Sequence, residues 1–137
     1  MNLPNKKKLL QNFLRCRNWE EKYSYIITLG NHLSPIPNNT DIPKYLVPGC
    51  QSRTWITVLV DNDGIIKLYG DSNSSIVKGI IAIVFIIYQG LTPKEIIQLK
   101  IRFIIKKLNL NENFTFARSE GLQSIVSTLL NQVKNLV

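Results

Sequence analysis

The chain has 137 residues, 45% hydrophobic and 19% charged, which fits one globular domain over 1–137 and excludes a disordered chain. Two cysteines and one histidine exclude a disulfide-dense scaffold, a four-cysteine zinc site and any site built on two imidazoles. Lys and Arg number 17 against 9 Asp and Glu, a formal charge of +8 that brings nucleic acid or an anionic membrane to mind.

The first element is an amphipathic helix over 6–15, with Leu9, Leu10, Phe13 and Leu14 at helical spacing. Asn18 reads as the next N-cap, with Glu21 as its capping-box partner. The second helix carries Trp19, Tyr23, Ile26 and Ile27 and ends near Leu29, with Gly30 as C-cap glycine. Residues 34–49 hold Pro35, Pro37, Pro43 and Pro48 and the turn residues Asn38, Asn39 and Asp41, so a long loop is expected. A third short strand has room in 40–48.

Residues 53–60 are β-branched and aromatic and read as a strand. Asp61-Asn62-Asp63-Gly64 is a hairpin turn, and 65–69 is the return strand. Residues 70–74 read as a turn and a helix start. Residues 75–89 are nearly all apolar and read as a central buried helix ending at Gly90. The span is too short for a membrane helix, which needs about 20 apolar residues. Thr92-Pro93-Lys94-Glu95 is a capping box before a short helix, and another helix lies near 102–108. The last helix runs from about Ser119 to Leu136, with Leu122, Ile125, Val126, Leu129, Leu130 and Val133 on one face. Helices flanking a tight hairpin predict an α+β fold, an antiparallel sheet packed against helices.

The cations are scattered beyond Lys6, Lys7 and Lys8, with no aromatic-interleaved basic stripe and no nucleic-acid module. Neither nucleic acid nor membrane is the expected partner. The charge reads as compositional drift, shared with the Ile and Asn enrichment, and an acidic protein partner is a second use for it. Residues 1–8 lead into a mixed helical segment rather than an apolar signal core, so the expected location is cytoplasmic.

Cys50 follows Pro48 and Gly49 and precedes a strand, which places a thiol at a loop end. Arg53 nearby would favour the nucleophilic thiolate. Two readings stand, a reactive loop thiol and a small cysteine that only packs. Cys16, beside Phe13 and Leu14 near a helix end, reads as packing. His32 has no partner at ligand spacing and reads as structural. Asp61 and Asp63 belong to the hairpin turn, because Gly64 comes too early for a calcium loop. Gly70 and Gly79 lack the spacing of a phosphate loop. Arg118, at the start of the last helix, stands against the helix dipole, which points to a role beyond solvation.

Gly49-Cys50-Gln51-Ser52 followed by Trp55 resembles the signature of the SufE family of sulfur acceptors. Asn18-Trp19-Glu20-Glu21-Lys22-Tyr23, Gly70-Asp71-Ser72 with Ile76-Val77-Lys78-Gly79, and Arg118-Ser119 with Gly121-Leu122 are similar to three further blocks of that family, in the same order. The resemblance implies a fold like that of the IscU scaffold without its metal-ligand cysteines, and neither cofactor nor metal. It implies that Cys50 accepts the terminal sulfur of a persulfide on the cysteine desulfurase SufS, stimulates that enzyme, and passes sulfur to the SufBCD scaffold for iron–sulfur cluster assembly. The chain would be a carrier and activator, as monomer or homodimer, rather than a stand-alone enzyme. Gly49, Gln51 and Ser52 would support the loop, and Arg118 would orient or dock near it. The 42–52 loop is expected to move on binding SufS.

Two residues depart from the family pattern. Asn73 stands where an acidic residue is common, and Thr54 where an apolar one is usual; neither is expected to touch Cys50. An IscU-type metal scaffold and a basic nucleic-acid-binding module are the competing readings.

Overall fold

A computed structural model describes residues 3–37 and 40–136. The turn residues Asn38 and Asn39 lie outside the described residues. Helix α1 spans Lys6–Arg15, and the Asn5 side chain accepts the Lys8 N–H at its start. Leu9 and Phe13 are buried beneath it, whereas Leu14, expected on the same face, is 85% exposed. Helix α2 spans Trp19–Gly30. Asn18 Oδ1 accepts the Glu21 N–H, as expected of an N-cap. Only half of the capping box forms. Glu21 turns to Arg17, accepting its backbone N–H at 2.8 Å and its guanidinium at 2.9 Å. These bonds hold the Glu21 carboxyl below its usual range, the backbone one foremost.

Gly30 is not a left-handed cap. It is the last residue of α2, its φ is not positive, and Asn31 caps the helix. A Cβ there would lie 2.7 Å from the Gly79 backbone nitrogen. Gly30 and Gly79 thus let two helix backbones approach, a packing reason for glycine rather than a turn reason.

The loop that follows contains a 3-10 turn over Ile42–Tyr45. The third strand is reduced to one bridge, Leu46 with Trp55, in which the Val47 N–H donates to the Thr54 carbonyl at 2.8 Å. Strands β1 (Thr54–Val60) and β2 (Ile66–Ser72) form an antiparallel hairpin with Thr54 opposite Ser72. The Asp61 carboxylate accepts the N–H groups of Asp63 and Ile65, and Gly64 takes φ 79° to close the turn.

β2 runs three residues past the expected 65–69, through Gly70-Asp71-Ser72. A Cβ on Gly70 would meet Ile56 Cγ2 at 2.9 Å and the Phe85 ring at 3.2 Å. The turn-like composition therefore reflects a crowded strand, where glycine admits a neighbour.

Helix α3 (Ser75–Tyr88) is capped by Ser74, and twelve of its residues are buried. It touches β2, α1, α2 and the last helix, so it needs no polar face. Burial overrides the modest helix propensity of its many Ile and Val residues. Tyr88 at its end is fully buried, its hydroxyl has no partner among the described residues, and burial pushes that phenol up to about 12. Helix α4 (Pro93–Gln98) carries the complete Thr92–Glu95 capping box. Helices α5 (Ile101–Lys107) and α6 (Leu110–Asn113) lead to α7 (Phe116–Lys134).

α7 begins three residues before the expected Ser119. Thr115 is its N-cap, accepting the Arg118 N–H, and Phe116 is 81% exposed, so no apolar period marks the first turn. Leu122, Ile125, Leu129 and Val133 are buried, and Val126 and Leu130 are partly so. Gln132 fastens α7 to the hairpin. Its Nε2 donates to the Ile56 carbonyl and its Oε1 accepts the Val58 N–H, both at 2.9 Å. The outer edge of β1 thus finds partners without a third strand. The architecture is α+β, with a two-stranded antiparallel sheet packed against helices.

Candidate functional site

Cys50 sits where the long loop returns to β1. Gly49 has φ 75°, a left-handed conformation that favours glycine. A Cβ on Gly49 would lie 3.3 Å from Ser124 Oγ, and one on Gly121 would lie 3.7 Å from Cys50 Sγ. The turn therefore rests on α7, with Gly121 leaving room for the sulfur. Cys50 is half-buried and its thiol is free.

The sulfur borders a pocket of about 210 Å³. Gln51 and Ser52 form one rim, and Ile76, Val77, Ile80 and Ile125 supply apolar walls. The first turn of α3 contributes Ser74, Ile76 and Val77, and the first turn of α7 contributes Thr115, Ala117 and Arg118. Two helix N-termini, each the positive end of its dipole, therefore converge beside Cys50. Among the described residues that line the pocket, Cys50 and Arg118 are the titratable ones and none is a carboxylate. The Arg118 guanidinium lies over the Tyr23 ring, 5.2 Å from its centroid. An apolar, half-enclosed pocket with one cation and two helix N-termini can hold an anionic sulfur species away from bulk solvent.

Gly49, Cys50, Gln51 and Ser52 thus share one turn, and Arg118 meets Cys50 at the pocket from the far end of the chain. Arg53 does not join them. It is exposed and borders another depression, with Ile42, Trp55 and Asp71, so Arg118 takes the place that spacing gave to Arg53. Thr54 corrects the expectation that it stands clear of Cys50. It is 1% exposed, and its Oγ1 lies 3.4 Å from Cys50 Sγ. Asn73 stays apart, exposed on the surface, and its N–H donates to the Arg53 carbonyl. A signal for Thr54 existed in the sequence. A hydroxyl at the start of an apolar strand four residues after Cys50 is out of pattern with its neighbours.

Cys16 caps α1, and its thiol donates to the Asn12 carbonyl at 3.4 Å. His32 is exposed just past α2. Among the described residues no three His, Cys, Asp or Glu side chains gather where one metal ion would bind. Among them also, no helix is long and apolar enough to cross a membrane.

Residues 7–133 match the domain family described as "SufE: Fe-S metabolism associated domain". The chain belongs to the SufE family. That membership associates it with iron–sulfur metabolism. The fold is similar to the solution structure of a hypothetical protein from Thermus thermophilus, with a TM-score of 0.79 and 22% identity. The similarity covers 98% of this chain and 97% of that one.

Proposed function

We propose that this SufE-family chain is a sulfur carrier whose acceptor is Cys50. The observation that carries the reading is the pocket: a free, half-buried thiol beside two helix N-termini and Arg118, with apolar walls and no carboxylate among the described residues that line it. Its donor is the persulfide of a cysteine desulfurase of the SufS type, and its recipient the SufBCD scaffold.

The chemistry is thiol exchange. The Cys50 thiolate attacks the terminal sulfur of the donor persulfide. A new sulfur–sulfur bond forms at Cys50, the donor's sulfur–sulfur bond breaks, and the electron pair leaves with the donor's cysteine as a thiolate. The terminal sulfur keeps its proton. No oxidant or reductant is consumed. The pocket supports the next requirement, since a persulfide between partners needs shelter from oxidation. Arg118 and the helix termini favour the negative charge on that group. Delivery requires the sulfur to come out again, and the 42–52 loop, with one bridge and one 3-10 turn, is the segment that would yield on docking.

The test is sulfide release by purified cognate SufS. Wild type and Cys16→Ser are expected to stimulate it and to gain the mass of one sulfur atom in intact mass spectrometry. Cys50→Ser is expected to do neither. Absence of both stimulation and mass gain in the wild type would overturn the reading.

A further inference from the structure

Thr54 Oγ1 carries one proton and has three polar neighbours. It lies 3.1 Å from the Ser52 carbonyl oxygen, 3.0 Å from Ser72 Oγ and 3.4 Å from Cys50 Sγ. Ser72 Oγ in turn accepts the Ser74 N–H at 3.2 Å. Thr54 and Ser72 are both buried and face each other across the hairpin. One hydroxyl cannot donate well to three acceptors at once. Its proton must choose, and the choice depends on the state of the sulfur.

With Cys50 as a thiol, the S–H can donate to Thr54 Oγ1 while the Thr54 O–H donates to the Ser52 carbonyl. A thiolate has no proton to give. The Thr54 O–H can then rotate toward the sulfur, and the Ser72 O–H donates to Thr54 Oγ1 in its place. The exchange requires no heavy atom to move. We propose that Thr54 is a reversible hydrogen-bond partner of Cys50, accepting from the thiol and donating to the attacking thiolate, with Ser72 as its support. Only the S–H bond breaks in this change, and its proton leaves to solvent. Thr54 is thereby a functional residue of this chain, one expected from the sequence to stand clear of Cys50.

The charged groups around this relay are few. Arg118 lines the pocket, and Arg53, next to Thr54 in the chain, is exposed outside it. Asp71 accepts the Ser72 N–H at 2.8 Å and pairs with Lys78 at 3.5 Å, so its charge is already engaged.

The proposal deepens the proposed function and rests on Cys50 as the acceptor. Its test needs no desulfurase, so the two can fail separately. Iodoacetamide alkylation of Cys50 is followed against pH in a Cys16→Ser background. Thr54→Val, which keeps the shape and removes the hydroxyl, is expected to move the profile to higher pH and slow alkylation about tenfold at neutral pH. Thr54→Ser is expected to keep the parent profile, and Ser72→Ala to move it in the same direction by less. The parent profile in both Thr54→Val and Ser72→Ala would overturn the proposal, as would a Thr54→Ser profile displaced as far as that of Thr54→Val. Should Thr54→Val fail to fold by circular dichroism, Ser72→Ala decides alone: a displaced profile supports the relay and the parent profile overturns it.

Discussion

The two cysteines are alike by the usual measures and differ in what surrounds them. Both are free and half-buried, and each sulfur has a polar neighbour at 3.4 Å. Cys16 spends its proton on a carbonyl of its own helix, an acceptor that has nothing to donate in return. Cys50 faces a hydroxyl that can give or take a proton, and it opens on a pocket formed by α3 and α7. Burial alone does not separate the two thiols. The proposed acceptor role of Cys50 rests instead on its hydroxyl partner and on the charge of its pocket.

The largest expected effect comes from exchanging the two. Cys50→Ser removes all sulfur acceptance, whereas Cys16→Ser keeps it and lowers the melting temperature by no more than a few degrees. Stimulated sulfide release and thermal melts on the same two variants check this. Comparable losses in both would break the comparison.

The next effect concerns the turn that holds Cys50. Gly49→Ala puts an L side chain at φ 75°, with its Cβ 3.3 Å from Ser124 Oγ. The expected loss is about 1–2 kcal/mol in urea unfolding, together with slower alkylation of Cys50 and unchanged alkylation of Cys16. A variant as stable as wild type would show that the turn is not what holds the sulfur against α7.

Arg118 sharpens the comparison from the side of charge. Arg118→Ala gives up its position over Tyr23, at a cost of about 0.5–1 kcal/mol. It also removes the one cation among the described residues of the pocket, so alkylation by an anionic reagent such as iodoacetate is expected to fall relative to iodoacetamide. Arg118→Lys is expected to restore part of that ratio. Equal ratios in all three proteins would remove Arg118 from the site.

Gly121→Ala is expected to change least. Its Cβ would lie 3.7 Å from Cys50 Sγ, an ordinary contact, and helix interiors favour Ala over Gly by about 1 kcal/mol. Stability is expected to hold or rise slightly while bulky thiol reagents react more slowly at Cys50. Faster reaction would mean that the sulfur does not lie against α7.

Much of this was legible in the residues. Pro48-Gly49-Cys50 announces a turn ending in a thiol, and the helix caps at Asn18, Ser74 and Thr92 lie where local chemistry puts them. The apolar run of α3 is long enough to exclude a buried strand. Side-chain partners chosen by tertiary contact were harder to read. Glycine at 30 and 70 carries the same letter as a turn glycine but serves close approach to Gly79 and Phe85. Stopping β2 at 69 hid the pairing of Ser72 with Thr54, and with it the hydroxyl relay. Arg53 is near Cys50 in sequence and Arg118 is not, yet Arg118 shares its pocket because α7 folds back across the hairpin.

The most direct measurement locates transferred sulfur at the level of single peptides. The wild-type protein is incubated with SufS and cysteine, its persulfides are alkylated, and the digest is read by mass spectrometry. The extra sulfur is expected on the peptide that carries Cys50, with none on the peptide that carries Cys16. Sulfur on Cys16, or on neither peptide while the desulfurase turns over, would contradict the account.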